Sequence, residues 1–197
     1  MMLKTGLTGS IGSGKTIVAK LFSTLSIPIF YADTEAKNIL NTAEIKQSVL
    51  ENIDSGVLDD AGNIDRKKLA QIIFNDKNKF TVLNDLIHPA VIELFLKWTQ
   101  QYSKQHYVIQ EAAILFETGY YKVMDKNIVV IAPMELRIER VIQRDHLSRE
   151  EVLQRINNQW KDEDKILLAD FVIVNDGTKM LIPQVMKIHQ QLMNPSE

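Results

Sequence analysis

The chain alternates between short apolar runs rich in β-branched and aromatic residues and longer stretches whose apolar residues recur at helical spacing. Five such runs lie at residues 3–7, 27–31, 107–111, 127–131 and 171–174. Enough residues separate them for a crossover helix, which is typical of parallel strands covered on both faces. The pattern predicts an α/β fold with a five-stranded parallel sheet flanked by helices. In such a sheet the ligand crevice lies at the carboxyl ends of the strands.

The stretch 34–105 lacks a strand pattern and contains several amphipathic segments. Asp65 is expected to cap a helix over residues 66–75. His88 and Pro89 are expected to open the last helix of this region, with the proline at the first helical position. The apolar face of that helix comprises Val91, Ile92, Leu94, Phe95 and Trp98. The pattern therefore predicts a helical insertion.

Composition narrows the class of protein. The chain has 197 residues, of which 45% are hydrophobic and 24% are charged, so it can bury one sizeable core. Its net charge is −2 and it has no basic run, so no nucleic-acid partner is expected. The lack of cysteine excludes disulfides and thiolate zinc sites and fits a cytoplasmic location. No leader or membrane span is expected, because no apolar run has the required length.

The strongest motif is Gly9-Ser10-Ile11-Gly12-Ser13-Gly14-Lys15-Thr16, which fits G-x-x-x-x-G-K-[ST]. It lies between the first predicted strand and a helix with an apolar face. The three glycines are expected to take positive φ and turn N–H groups into a hollow that binds phosphate. Lys15 is expected to reach the β and γ phosphates, and the Thr16 hydroxyl to complete a magnesium shell. A glycine-rich turn with a surface lysine is the alternative, and the strand and helix on either side disfavour it.

Three carboxylates follow predicted strands or apolar runs. Asp33 lies just past the second strand and is the best candidate for a general base, although it is also a candidate N-cap of the next helix. Glu111 ends the third strand, where a carboxylate binds the metal or its waters, or is an ordinary strand-end glutamate. Glu117 follows the apolar residues 114–116, and the pattern allows it to face either solvent or the crevice.

Arg137, Arg140 and Arg144 share one face of a helix after the fourth strand. Residues 148–151 fit a capping box that opens a second helix. Two helices joined by a short turn predict a lid that closes over a transferring phosphoryl group, with the arginines as its phosphate contacts. The alternative is a solvated helix face with Arg–Glu pairs.

These residues together resemble the dephospho-CoA kinase family, the P-loop kinases that complete coenzyme A biosynthesis. The matching positions are 6–16, 31–33, 88–89, 114–117, 137–145, 155, 159, 169–173 and 175. The resemblance implies an adenylate-kinase-like core, ATP with Mg²⁺, and phosphorylation of the ribose 3′-hydroxyl of dephospho-CoA. It implies one domain over 1–197, with a core at 1–33, 106–136 and 161–197, an acceptor-binding helical region at 34–105 and a lid at 137–160.

The resemblance also implies roles for individual residues. ATP would be bound by Gly12, Ser13, Gly14, Lys15, Thr16, Ile17 and Asn175, with Thr16 also at the metal. Asp33, His88 and Glu117 would bind the acceptor. The catalytic set would be Lys15, Asp33, Arg140 and Arg144.

The chain departs from the family pattern at two places. Tyr31 stands where an aspartate is usual, and Glu111-Ala112-Ala113 replaces Asp-x-Pro. Another small-molecule P-loop kinase remains the main alternative, because it would use the same loop and lid. A regulatory GTPase is disfavoured, because residues 78–81 lack the aspartate of a guanine-binding motif and the D-x-x-G match at 59–62 follows no apolar strand. The sequence predicts no oligomeric state.

Overall fold

The computed structural model describes residues 2–194, apart from the side chains of residues 74, 75 and 77. Five parallel strands form one sheet in the order β2-β3-β1-β4-β5. The strands are β1 (Leu3–Thr8), β2 (Ile29–Tyr31), β3 (Tyr107–Glu111), β4 (Lys126–Ile131) and β5 (Phe171–Val174). The predicted fold class and all five predicted strands are confirmed. Their boundaries differ from the prediction by at most two residues.

The described helices account for most of the remaining chain. They are α1 (Lys15–Thr24), α2 (Ala32–Ile39), α3 (Ala43–Asn52), α4 (Arg66–Asn75), α5 (Lys77–Gln100), α6 (Met134–Asp145), α7 (Arg149–Asn157), α8 (Asp162–Ile166) and α9 (Leu181–Met193). A 3₁₀ turn spans Tyr120–Val123.

The chain forms two compact units, one of Met1–Tyr31 with Gln101–Glu197 and the other of Ala32–Gln100. The first holds the sheet, whose central strands bury Leu7, Ile109 and Ile128 completely. Helices α1 and α9 pack against these strands and against each other. The second is all helical apart from an antiparallel bridge between Leu58 and Ile64. It matches the predicted helical region, and the single-domain organisation over 1–197 stays a prediction.

The second unit corrects one local prediction. Pro89 does not open a helix but lies inside α5. A proline in a helix interior lacks the N–H for one backbone bond, so helices usually begin at or near it. The apolar positions Leu83, Leu86 and Ile87 before it nevertheless pack into the core of this unit. Val91 and Phe95 after the proline are buried as well, and this burial on both sides carries the helix through it.

The predicted caps are confirmed. Asp65 accepts hydrogen bonds from the backbone N–H groups of Lys67 and Lys68 at 2.8 and 3.2 Å. These bonds lower the pKa of its carboxyl. Ser148 and Glu151 form a complete capping box at the start of α7.

Strand β5 is one of the two edge strands of the sheet, and a side chain covers part of it. The Val174 N–H donates to Gln184 Oε1 at 2.8 Å, and Gln184 Nε2 donates to the Val174 carbonyl at 2.9 Å. The neighbouring Asn175 N–H donates instead to the Ile131 carbonyl of β4. Val174 thus presents both of its backbone polar groups to the outer edge, where the Gln184 amide binds them.

No helix between residues 2 and 194 combines the length and the apolar character that crossing a bilayer requires.

Candidate active site at the phosphate loop

The loop of residues 9–16, here called the phosphate loop, connects β1 to α1. Gly12 and Gly14 have φ values of 79° and 95°, as predicted. Gly9 does not take positive φ, which corrects the prediction for that residue. Its requirement is steric, because a Cβ there would lie 2.5 Å from both Ser13 Oγ and the Val130 carbonyl. The loop therefore needs three glycines for two different reasons.

The second half of the loop is held by Asn175, which follows β5. This side chain is buried, and its Nδ2 donates to the Ser13 carbonyl at 2.8 Å. A Cβ on Gly14 would collide with the same amide. Arg140 reaches the Gly12 carbonyl at 3.4 Å and the Asn175 carbonyl and Oδ1 at 3.3 and 3.4 Å. Asn175 and Arg140 thus brace the part of the loop that carries the glycine turns.

Lys15 lies at the start of α1 beside the end of β3. Its Nζ is 3.2 Å from Glu111 Oε1, and the two side chains are 18% and 6% exposed. The first N–H groups of a helix lack acceptors within it, so the start of α1 presents donors and partial positive charge. The charge of Lys15 and the N-terminus of α1 therefore both lie at the carboxyl ends of the strands. This arrangement suits a polyphosphate with a cation.

Tyr31, where the family usually has aspartate, pairs with Glu111 across β2 and β3. Burial, and secondarily the negative charge of Glu111, raise the pKa of the Tyr31 phenol above its usual 10.0. Tyr31 is therefore a neutral phenol at physiological pH. It brings no second negative charge to Glu111.

The arginine row on α6 divides into three environments. Arg137 is buried, with its NH2 3.9 Å from Asp162 Oδ2. Arg140 contacts the phosphate loop, as described above. Arg144 is largely exposed and forms an ion pair with Asp145, which raises the pKa of the guanidinium. The equal spacing in the sequence therefore does not give three equivalent side chains.

Glu117 does not face open solvent, which was one of the two orientations that the sequence left possible. Its Oε1 lies 2.9 Å from Lys165 Nζ and accepts the Trp160 N–H at 2.9 Å. Gln159 bridges the Ile11 N–H and the Ala113 carbonyl at 2.8 and 3.2 Å. Of these partners, the sequence identified Gln159 only through the family resemblance, and it missed Lys165.

Ser10 and Asp162 were also missed. Ser10 Oγ donates to Asp162 Oδ1 at 2.6 Å and accepts from Lys165 Nζ at 3.3 Å. Residues 161–165 read Lys-Asp-Glu-Asp-Lys, which is typical of a solvated surface helix. No local pattern could reveal that Lys165 is fully buried.

Asp33 and His88 lie in the second unit. Helix α2 begins at Ala32, so Asp33 lies in its first turn and not at the preceding N-cap position. His88 is partly buried within α5, and this burial lowers the pKa of its imidazole below 6.5 against the opposing effect of Asp85.

The residues at the start of α1 fit a magnesium ion held jointly with phosphates. Thr16 is exposed, and the Glu111 carboxylate pairs with Lys15, the residue before Thr16. Between residues 2 and 194 no group of three or more histidines and carboxylates could hold a metal by itself. Mg²⁺ usually takes only one or two protein oxygens and completes its shell with phosphates and water. Thr16 and Glu111 supply that number.

Comparison with known proteins gives a consistent result. The sequence model of the dephospho-CoA kinase family matches residues 3–180. A dephospho-CoA kinase of Bacteroides fragilis is 36% identical over 188 residues, which cover 95% of this chain and 92% of that protein. The crystal structure of TT1252 from Thermus thermophilus superposes with a TM-score of 0.86 at 31% identity, covering 96% of each chain. A dephospho-CoA kinase from Campylobacter jejuni has a TM-score of 0.72 at 28% identity, covering 99% of each chain.

Proposed function

The chain belongs to the dephospho-CoA kinase family, and we propose that it transfers the γ-phosphoryl group of ATP to the ribose 3′-hydroxyl of dephospho-CoA, giving coenzyme A and ADP. The observation that carries this proposal is the braced phosphate loop with Lys15 at its mouth. Such a loop binds a nucleoside triphosphate, and family membership supplies the acceptor.

The loop and Lys15 account for binding of the donor. Backbone N–H groups at the start of α1 would bind the β and γ phosphates, and Gly12, Ser13, Gly14 and Ile17 would border them. The ammonium of Lys15 would exchange part of its interaction with Glu111 for the phosphate oxygens. Charge developing on these oxygens during transfer would then meet a positive group already in place.

Asp33 is proposed to accept the proton of the acceptor hydroxyl. As the 3′-oxygen bonds to the γ-phosphorus, the bond to the β–γ bridging oxygen breaks and ADP leaves. A carboxylate orients the hydroxyl and takes its proton late in such a transfer. This role rests on the family resemblance and on the position of Asp33 two residues after β2. His88 and Glu117 stay predictions as acceptor-binding residues, and the contacts of Glu117 with Lys165 and the Trp160 N–H favour an indirect role for it.

Arg140 and Arg144 are proposed to act from the lid, here α6 and α7. Arg140 already lies on the loop, so a short movement would bring it to the nucleotide. Arg144 forms an exposed ion pair with Asp145, and such a pair contributes about 0 to 1 kcal/mol. This guanidinium can therefore leave Asp145 for a phosphate at little cost.

Mg²⁺ is proposed to be held by Thr16, by Glu111 directly or through water, and by the phosphates of ATP. When bound, it would neutralise phosphate charge and orient the γ-phosphoryl group. A cytoplasmic location stays a prediction, based on the absence of cysteine from the sequence.

A coupled assay of purified protein with ATP, Mg²⁺ and dephospho-CoA tests the function. We expect ADP release that depends on dephospho-CoA, and a product that carries the new phosphate at the 3′ position by ³¹P and ¹H NMR. Parallel reactions with shikimate, nucleoside monophosphates and simple sugars test the alternative of another small-molecule kinase. Turnover of one of these acceptors with none of dephospho-CoA would refute the proposal.

A further inference from the structure

Lys165 is the most deeply buried charged residue among those the structure describes, at 0% exposure. A buried ammonium is unfavourable unless opposite charge and hydrogen bonds compensate it. Glu117 supplies the opposite charge at 2.9 Å, and Ser10 Oγ accepts at 3.3 Å. The partners lie 48 and 155 positions away in the sequence, so Lys165 joins distant parts of the first unit.

The surrounding residues extend this pair into a balanced network. Asp162 accepts a hydrogen bond from the Ser10 hydroxyl, and its Oδ2 lies 3.9 Å from Arg137 NH2. Lys165 and Arg137 together carry two positive charges, and Glu117 and Asp162 carry two negative charges. Removal of any one of them leaves a buried excess of charge.

Apart from the contact of Asp162 with Arg137 of α6, these bonds connect one short stretch, residues 159–165, to the phosphate loop and to the loop after β3. We call this stretch the return segment, because it leads the chain from the lid helix α7 back to the sheet. Gln159 binds the Ile11 N–H, and Asp162 and Lys165 bind Ser10. The return segment therefore holds the first half of the phosphate loop, as Asn175 and Arg140 hold the second half.

Packing supports this half of the loop on one side only, where Ile11 contacts the buried cluster of Ile138, Val141 and Val152. A cavity of about 1000 Å³ lies beside it, lined by Ser10, Arg137, Gln159 and Asp162 among others. Apolar side chains cannot fix a loop on the side where open space begins. On the cavity side, the polar bonds of the return segment hold Ser10 and the Ile11 N–H.

We propose that Lys165 is a positioning residue for the phosphoryl transfer. Its ammonium binds Ser10 and so holds the phosphate loop. It also binds Glu117 and so holds the loop that follows Glu111. The return segment follows α7 directly, so the same ammonium ties the base of the lid to the loop that binds ATP. This inference rests on the proposed function, because it assigns Lys165 to that reaction.

The test must distinguish a loss of phosphate-loop positioning from a loss of overall folding stability. Lys165→Met alone leaves Glu117 buried without its cation, and Glu117 Oε2 has no hydrogen-bond partner within residues 2–194. That variant is expected to lose stability as well as activity. The double variant Lys165→Met with Glu117→Leu removes both charges, and replacing a buried pair by apolar residues is often neutral for stability. Ser10→Ala keeps the Lys165–Glu117 pair and removes both bonds of the Ser10 hydroxyl, to Lys165 and to Asp162.

Steady-state kinetics, urea unfolding and calorimetric titration with a non-hydrolysable ATP analogue are measured for each variant. We expect the double variant to unfold near the wild-type midpoint while kcat falls roughly 10- to 100-fold, the range seen when residues behind a site are removed. The Kd of the ATP analogue should rise in both variants. In Ser10→Ala, which keeps Glu117, the KM of dephospho-CoA should stay within about twofold. Ser10→Ala should show the same pattern with a smaller change.

Lys126→Met is the matched control, because Lys126 also pairs with a carboxylate at 2.9 Å but on the surface, with Asp170. It should leave stability and kinetics at wild-type values. Wild-type kcat and analogue Kd in the double variant would overturn the proposal, and if that variant does not fold, unchanged values in Ser10→Ala would overturn it. Failure of the proposed function is distinct, because wild-type protein and Lys126→Met would then both fail to phosphorylate dephospho-CoA.

Discussion

The amide of Asn175 gives the sharpest test of how the loop is built. Asn175→Ala removes the 2.8 Å bond to the Ser13 carbonyl. Ser13 is fully buried, so its carbonyl then has no access to water in exchange. An orphaned buried acceptor costs about 1–3 kcal/mol. The contacts of Asn175 with Arg140 are longer, and the one to the Asn175 backbone carbonyl survives the change, so they add little.

We therefore expect Asn175→Ala to lower the free energy of unfolding by about 2 kcal/mol. For a chain of this size, that corresponds to a fall in Tm of about 4 to 8 °C. The freed loop should also bind ATP more weakly, by roughly tenfold, as for other residues behind a site. Urea unfolding measures the first effect, and calorimetric titration with a non-hydrolysable ATP analogue measures the second.

Asn52→Ala is the control, because Asn52 Nδ2 also donates to a backbone carbonyl, that of Ser48 at 2.9 Å, but in an exposed position. Its unfolding free energy should stay within about 0.5 kcal/mol of wild type. If Asn175→Ala loses stability but keeps the wild-type Kd, the amide supports the fold without shaping the ATP site. If neither quantity changes, the argument from buried acceptors fails here.

Four further changes test the site. Lys15→Ala should lower kcat by at least about 100-fold while circular dichroism stays native, and substantial turnover would contradict the loop assignment. Asp33→Asn should lower kcat by about 10²- to 10⁴-fold with little change in Tm; normal turnover with early melting would assign Asp33 to the helix instead. Arg144→Ala should hardly affect stability but should lower kcat. In the wild-type protein, hydrogen exchange in α6 and α7 should slow when ATP and dephospho-CoA are bound. If Arg144→Ala keeps the wild-type kcat and ligands leave the exchange unchanged, Arg144 is only a surface residue. Because the folded pKa of His88 lies below the unfolded value of 6.5, its contribution to stability is full above pH 6.5 and is lost as pH falls through the folded pKa. His88→Gln should flatten that part of the stability–pH curve, and an unchanged curve would contradict this account.

The sequence predicted the parts of the fold that local patterns encode. The strands were visible because buried parallel strands are continuous apolar runs, and the caps were visible because Asp65 and Ser148 stand before helices in the expected way. The start of α5 was mispredicted because proline is a strong local signal. Burial of residues on both sides of Pro89, which only the tertiary structure reveals, overrides that signal.

Within the site, the sequence identified residues that lie in a motif and missed those defined by distant contacts. The glycines and Lys15 share one contiguous pattern with a known mechanism. Lys165 has no such pattern, because its burial depends on Ser10 and Glu117. The row of arginines shows the same limit, since helical spacing gives the face of a residue but not the depth at which neighbouring elements bury it.

The binding of the Gln184 amide to strand β5 has a consequence for how copies of this protein associate. An exposed edge strand offers unpaired N–H and C=O groups to the strands of other molecules, which is a common start of aggregation. Val172, on the same strand, is 37% exposed and would add apolar contact to such pairing. The carboxamide of Gln184 occupies both backbone groups of Val174 in the way that an incoming strand would. A single side chain from α9 thus blocks one position of this edge against pairing with another strand.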